Sequence, residues 1–535
     1  MRLSRRMLLG AAVAAGAVAW GGVSIARLAR GPSGQKNLGR IADADGIALP
    51  QPVSASQPPF DPSLPWKAKG GTMNDASGLS ETPVYGVVEV TERGHVEAAL
   101  AFARQNKLKV SMAAVRHSMG GHAFDDNALV LDMTGFNKVT LDETARTVTV
   151  EPGATWHQIQ NLIHPRFAVK AMQSTDIFSV GGSLSVNAHG MDHQAGAIAG
   201  SVRSLEVMLA DGSIARCSHD ENADLFRHVV GGYGLFGVVV SATLEIVENA
   251  IYKTSREVIP EADFPRYFEE RIAGDTGLGL FYGHLSTAPD TLLDEMVVYR
   301  YDTVAVPGAD IPALGEPGMV GVKRLLLNLS KYGEWFRDLK WFVEKTLEPE
   351  FESCTVPRTA AMAEGEACLV SRNDPMHDSV PYLFNDMAGD TDILHEYFFP
   401  RGAYGAFIAG AREVLLRHRT RLLNASVRVV DADDIALPYA TEPAFSLVLY
   451  INQSTDEAGN AEMRALTRDL VDLTLQHRGR FFLPYQLHYT GAQLMQSYPE
   501  LPAFIAEKRR RDPDELFTST FWRAVSALGA KAGQA

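Results

Sequence analysis

Apolar positions along the first half of the chain repeat with two periods. "VYGVVEV" (84–90) is a continuous apolar run; from Thr91 the period lengthens, with Val96, Ala99, Leu100 and Ala103 on one helical face; "KLKVSMAA" (107–114) is apolar again. This order predicts a strand, a crossover helix and a parallel strand. "ALVLDM" and "RTVTVEPG" add two strands, Thr155 caps a helix over "WHQIQNLI", and "SLEVMLADGSIARC" reads as a hairpin about Asp211-Gly212. "GGYGLFGVVVSATLEIV" closes the region with a loop and a strand. Short strands outnumber helices, so the expected class is α+β rather than an open doubly wound sheet.

The flanks behave differently. Residues 31–80 are rich in Pro, Ser, Gly and Asp without periodicity, which predicts an extended tether and folded structure from about Val84. Beyond residue 250 aromatic residues and helical stretches increase. Leu325 to Lys345 reads as one helix whose Tyr332, Trp335, Phe336 and Phe342 recur at helical spacing and are expected to pack.

Composition narrows the reading. The chain of 535 residues exceeds one ordinary core, and 46% hydrophobic against 21% charged residues describes a globular protein. A formal net charge of −14 provides no basic field, so nucleic acid is not expected as a partner. Cys217, Cys354 and Cys368 have neither disulfide-framework nor zinc-type spacing. At the N-terminus Arg2, Arg5 and Arg6 precede an apolar run from Met7, the order of an export signal. Ser4-Arg5-Arg6 followed by Met7-Leu8-Leu9 is similar to a twin-arginine signal, whose machinery exports folded proteins. Residues 1–30 are therefore expected to send the chain to the periplasm or outside the cell. Small residues at Ala17-Val18-Ala19 suit cleavage, while the continuing "WGGVSIARLA" suits an uncleaved inner-membrane anchor; both stay open.

Two motifs are set aside. Gly232-Tyr233-Gly234-Leu235-Phe236-Gly237 fits G-x-G-x-x-G, but a helix-like segment precedes it and a strand follows, the reverse of a dinucleotide fingerprint. His189 and His193 stand four apart as on a metal-binding helix, yet Gly181, Gly182, Gly190 and Gly196 surround them and the glutamate of H-E-x-x-H is missing; no metal is expected there. What remains is a pair of glycine segments, "RHSMGGHAF" and "STDIFSVGGSLSVNAHG". Both offer backbone N–H groups and hydroxyls without an intervening Cβ, the makings of a phosphate cradle.

The succession "AAVRHSMGGHAF", "TVTVEPGATWHQI", "VGGSLSVNAHG", "SLEVMLADGS" and "ENADLFRHVVGGYGLFGVV" resembles the FAD-binding domain of the vanillyl-alcohol oxidase / p-cresol methylhydroxylase (PCMH-type) flavoprotein family. The resemblance implies a two-subdomain FAD-binding domain over 81–250, an α+β substrate (cap) domain on an antiparallel sheet over 251–490, and a C-terminal segment, 491–535, returning to the FAD domain. It implies that FAD is held by Arg116, His117, Ser118, Met119, Gly120, Gly121, His122, Ser179, Gly181, Gly182, Ser183, Asn187, Gly190 and Gly237. His117 corresponds to the histidine that many members bond covalently to the flavin. Where the family has glycine before it, this chain has Arg116.

The C-terminal half, above all "YPELPAFIAEKRRRDPDELF", is similar to the alditol and aldonolactone oxidase branch. Arg428 carries over from that branch, but Ser426 stands where its glutamate would be, and His488 lacks the lysine that follows in the branch's H-W-G-K. The resemblance implies an FAD-dependent oxidoreductase taking hydride from a CH–OH group of a small alcohol, lactone or sterol-like substrate, with oxygen or another acceptor reoxidising the flavin. His488 is the candidate base, Arg428 the oxyanion stabiliser, and Tyr485, Glu396 and Tyr397 pocket groups. Two other functions stay open: an FAD-dependent C=C reductase, and a non-catalytic binding protein that keeps the fold.

Overall fold

The computed structural model describes residues 58–306, 311–314, 320–346, 369–378 and 389–532. The proposed signal, Cys354 and Cys368 lie outside them. The architecture is α+β, built on three main sheets that divide the chain into a glycine-loop half and a large antiparallel half.

The opening β-α-β pattern forms, with one change. Strand Gly86–Glu89 is followed by helix Arg93–Asn106, which buries Val96, Ala99, Leu100, Phe102 and Ala103, and then by strand Val110–Ala113. The two strands are not neighbours: Leu129–Asp132 lies between them, parallel to both. The "ALVLDM" segment thus takes the central place, and all four of its strand residues are buried. The tether expectation is corrected at its C-terminal end. Trp66–Ala68 pairs antiparallel with Gly86–Glu89, so folded structure begins well before Val84. Trp66 also packs edge-on against Phe60 and Phe102, burying aromatic area that proline-rich composition concealed.

The second sheet runs Ile214–Cys217, Val202–Met208, Val238–Glu248, Thr147–Val150 and Val139–Asp142, with Phe167–Val169 also on Val238–Glu248. Its Ile214 hairpin turns at Gly212, whose φ is 88°. Thr155 caps helix Trp156–Ile163 in a capping box with Gln158.

From Ile251 the chain builds an eight-stranded antiparallel sheet. Its order is Leu369–Ser371, Ile251–Pro260, Glu295–Val304, Leu278–Leu285, Leu422–Val430, Ala444–Ser454, Asp390–Pro400 and Arg480–Phe481. One apolar core runs without a break from Val148 and Trp156 beneath the second sheet to Phe264, Leu447 and Trp522. A separate core under the first sheet takes in Leu516 and Phe517 from the C-terminal segment. That segment bonds back to the first half: Phe517 bridges Val110, Thr518 Oγ1 donates to Asp125 Oδ2 (3.0 Å) and Phe521 N donates to His122 O (3.1 Å).

The predicted helix 325–345 is two, Val320–Leu329 and Glu334–Thr346, parted by a turn at Ser330–Tyr332. Its aromatic residues are not all packed: Trp341 is buried, but Tyr332 is 44% and Trp335 39% exposed. The break at Gly333 rotates the second helix, so one spacing does not describe both. Among the described residues no helix is long and apolar enough to cross a membrane.

Candidate active site

A cavity of about 630 Å³ lies between the glycine loops and the eight-stranded sheet, within the range of cofactor and substrate sites. The loop wall comprises 115–119, Ser179, Gly181–Ser183 and the turn Tyr233–Gly237. Gly182 there has open space before it; a Cβ would meet only Ser179 Oγ, at 3.1 Å.

Arg116 gives the loop its character. Its φ is 54°, the left-handed region that costs a side-chain-bearing residue roughly 1–2 kcal/mol. Glycine would fit this place without strain. In exchange the loop gains a guanidinium in the cavity wall whose Nη1 is buried without a hydrogen-bond partner among the described residues. Burial lowers the Arg116 pKa, with Asp132 acting in the opposite direction. A buried cation with an unspent donor calls for an anion, and a diphosphate fits. His117 follows, its ring 5.0 Å from that of Phe178 and its pKa lowered to about 4 by burial, so the imidazole is neutral at pH 7.

Other loop residues have different work from that expected. Ser118 Oγ and Gly121 N both donate to Asp75 Oδ2, at 3.1 and 2.7 Å. Asp75, inside the supposed tether, thereby shapes the turn. His122 Nε2 lies 3.0 Å from both Pro484 O and Tyr485 O, tying the loop to the C-terminal half. Gly120 is needed for that approach, since a Cβ would fall 2.2 Å from His122 Nε2 and 2.8 Å from Pro484 O. Met119 is buried in the wall. In the second loop the amides of Val180, Gly181 and Gly182 already donate to Ala154 O, Pro152 O and Ser179 Oγ. This loop therefore lines the cavity through close packing rather than free N–H groups. Ser183 Oγ is likewise taken, donating to Gln173 Oε1. Asn187 and Gly190 are outside the wall: Asn187 Nδ2 donates to Asp433, and Gly190 presses on Met172 and Gln173 backbone. Gly237 is in the wall, beside Val207 and Met208.

Across the cavity, strand alternation puts one face of the large sheet toward the loops. His284, Ser426, Val448 and Glu396 form one cross-strand row through successive pairings of four strands. Arg428 is two residues along from Ser426, on the same face, and its Nη1 donates to Ser174 Oγ (2.6 Å). Glu396 Oε1 is 2.8 Å from His189 Nε2. Burial pushes the Glu396 pKa up, but His189 and then Arg428 outweigh it, leaving the pKa below the usual value. His189, once a metal suspect, is thus a carboxylate partner, and His193 packs against Phe281. Tyr485 lines the cavity with its phenol pKa pushed well up by burial; Tyr397 is buried and is a hydrogen-bond partner of His395.

His488, the candidate base, is not among the cavity-lining residues; its carbonyl accepts from Arg468 Nε, and burial together with Arg464 and Arg468 lowers its pKa to about 4. The sequence reading missed His284. Its Nδ1 is 2.7 Å from Glu344 Oε1, and Glu344 Oε2 receives Lys340 Nζ at 2.7 Å. Burial alone would raise the Glu344 pKa, but Lys340 and His284 bring it down to about 2. An ionised carboxylate only accepts, so His284 Nδ1 donates to Glu344, and Nε2 is the ring nitrogen outside that bond. The signal was a histidine alternating with Tyr282 on an apolar strand; its partner lies 60 residues away on the helix that follows the break.

Residues 84–218 match the FAD binding domain family. The cavity, the unspent Arg116 donor and the glycine wall fit that cofactor, and FAD is the cofactor of this domain. Over 174 residues the chain is 29% identical to decaprenylphosphoryl-beta-D-ribose oxidase of Mycolicibacterium smegmatis, covering 31% of this chain and 38% of that protein. It is 30% identical over 185 residues to L-gulonolactone oxidase of Mus musculus, covering 32% and 41%. Against D-arabinono-1,4-lactone oxidase of Yarrowia lipolytica it is 34% identical over 113 residues, covering 21% and 22%. The chain thus spans less than half the length of these curated relatives.

Proposed function

We propose that the protein is an FAD-dependent oxidoreductase that oxidises a CH–OH group of a small hydroxylated ring compound, a sugar lactone, lipid-linked sugar or sterol-like alcohol. One observation carries this reading: a single cavity joins the FAD-domain loops to a row of polar side chains on the large sheet. The flavin supplies the hydride acceptor when bound. Arg116 would hold its diphosphate, and His117, neutral at pH 7, is the candidate covalent tether. In the sheet wall, His284 Nε2 takes the hydroxyl proton while Glu344 fixes the ring and stabilises the imidazolium that results. Arg428 steadies the oxyanion character that develops on the substrate oxygen as its proton leaves. His284 is the cross-strand partner of Ser426, so a carboxylate-backed imidazole adjoins the place where the alditol-type branch would carry glutamate. Relatives named for oxidation of a ribose and of sugar lactones support the CH–OH class.

The test is anaerobic mixing of the purified yellow protein with a panel of lactones, sugars and sterols. Bleaching of the flavin spectrum by a hydroxylated compound is the expected result. If none bleaches it while an unsaturated compound reoxidises dithionite-reduced protein, the direction is reversed and the reductase reading replaces this one. Acid denaturation of wild type and His117→Ala reports on attachment: flavin kept by the first and shed by the second supports the tether, and flavin shed by both removes it. We further infer that residues 1–30 direct twin-arginine export, with oxygen or another carrier as the acceptor outside the cytoplasm. Replacing Arg5 and Arg6 by Lys should leave the protein in the cytoplasm, and unchanged export would refute the assignment.

A further inference from the structure

Three side chains outside the proposed reaction converge where the large sheet meets the second subdomain. His157 is in the first turn of the helix Trp156–Ile163, Asp176 lies in the loop after strand Phe167–Val169, and His377 arrives some 200 residues later on the short helix Asp374–Asp378. Nδ1 of His157 and Nδ1 of His377 are each 2.7 Å from Asp176 Oδ2, and the three atoms lie within 4.8 Å of one another. The imidazoles stack with centroids 4.9 Å apart. The backbone reinforces the arrangement, since His157 N donates to Asp176 O at 2.8 Å.

Asp176 is fully buried, and its Oδ1 has no hydrogen-bond partner among the described residues. Each oxygen of a buried carboxylate needs a donor or a cation, and Oδ1 has neither among the described residues. We propose that His157 Nδ1, Asp176 Oδ2 and His377 Nδ1 form a site for a divalent transition cation of the zinc class, which fastens the Asp374–Asp378 helix to the 173–179 loop. Two imidazole nitrogens and one carboxylate oxygen are a borderline-soft donor set that favours zinc over calcium or magnesium, with water completing the sphere. Bonds of about 2.0–2.2 Å around such an ion would spread the present 2.7 Å contacts by roughly half an ångström. The far nitrogen of His157 already has an outer partner, Asn161 Nδ2 at 2.8 Å; with the ion on Nδ1 the Asn161 amide turns its oxygen to accept from Nε2. The His157 side chain is 39% exposed, which gives the ion a way in from solvent.

The consequence is structural. Gln173, Ser174, Phe178 and Ser179 on one side of the cluster, and Asp374 and Pro375 on the other, all belong to the cavity wall. An ion here would pin that wall together without touching the reacting atoms. The test uses the full flavin-loaded protein, stripped with a chelator and dialysed against zinc chloride, with metal counted by elemental analysis. One zinc per chain and a higher melting temperature are expected. Asp176→Asn and His157→Gln should each weaken uptake by about tenfold or more and cancel the rise in melting temperature, with circular dichroism and flavin content retained. His157→Gln changes a part-exposed group and keeps the test alive should the Asn variant fail to fold. Wild-type protein that takes up no zinc, variants that bind as well as wild type, or a preference for calcium would each overturn the proposal.

Discussion

The two walls of the cavity are made in different ways. The loop wall comes from short local stretches, 115–119 and Ser179 with Gly181–Ser183, in which the backbone itself forms much of the surface. The sheet wall takes one or two side chains from each of several strands, and His284, Ser426 and Glu396 become neighbours only through strand pairing. A local segment suffices to bind a common cofactor, because a diphosphate presents the same oxygens to every protein. Substrate chemistry needs groups whose spacing no single segment can set. The first wall is therefore readable as a motif and the second is not.

Breaking the sheet wall should have the largest effect. His284→Ala is expected to lower the rate of anaerobic flavin reduction by about 10²–10⁴-fold while flavin content is unchanged, the range for a lost general base; rapid-mixing absorbance decides it, and an unchanged rate would return the search to other cavity groups. A smaller effect concerns acid. Burial, with His488 as a further charge, holds His395 at about 3, and burial with Arg464 and Arg468 holds His488 at about 4. Unfolded imidazoles protonate near 6.5, so between that value and the folded ones the unfolded chain binds more protons, and stability falls as pH falls. Roughly 2 kcal/mol should be lost per histidine between pH 7 and pH 5. Urea midpoints measured across that range should lose about half of their pH dependence in His488→Gln, the His395 share remaining, and its flavin-reduction rate should stay at the wild-type level.

The smallest effect sharpens the loop wall. Arg116→Gly should relieve the positive φ, gaining about 1 kcal/mol of stability, yet weaken FAD binding by losing a charge-assisted hydrogen bond. Thermal melts of the flavin-free protein and flavin titration separate the two. A variant that binds FAD as tightly as wild type would show that the guanidinium does not hold the diphosphate.

Misreadings arose where distance along the chain hid a partner. His488 was named as base from a local tetrad, but it is not among the cavity-lining residues, and the charges beside it, Arg464 and Arg468, come from the long helix Glu457–Gln476. Asp75 looked like tether because proline and serine surround it, whereas its partners Ser118 and Gly121 lie more than 40 residues on. The second glycine segment looked like a nest, but Pro152 and Ala154 had taken its amides. Arg116 was recognised as a departure in the sequence, and only its φ explains why glycine would suit the position.

By itself the sequence determined the α+β class, the succession of strands and helices around the glycine loops, and FAD as the cofactor of this domain. The class and the element order follow from period, turn chemistry and short-range backbone geometry, which neighbouring residues fix together, and the cofactor from the family resemblance of the glycine segments. Tertiary structure alone decided that Leu129–Asp132 parts the first two strands, that His284 rather than His488 faces the cavity, and that His157, Asp176 and His377 meet. Sheet order and cross-strand register depend on burying apolar area over the whole molecule, and many strand orders share one local pattern.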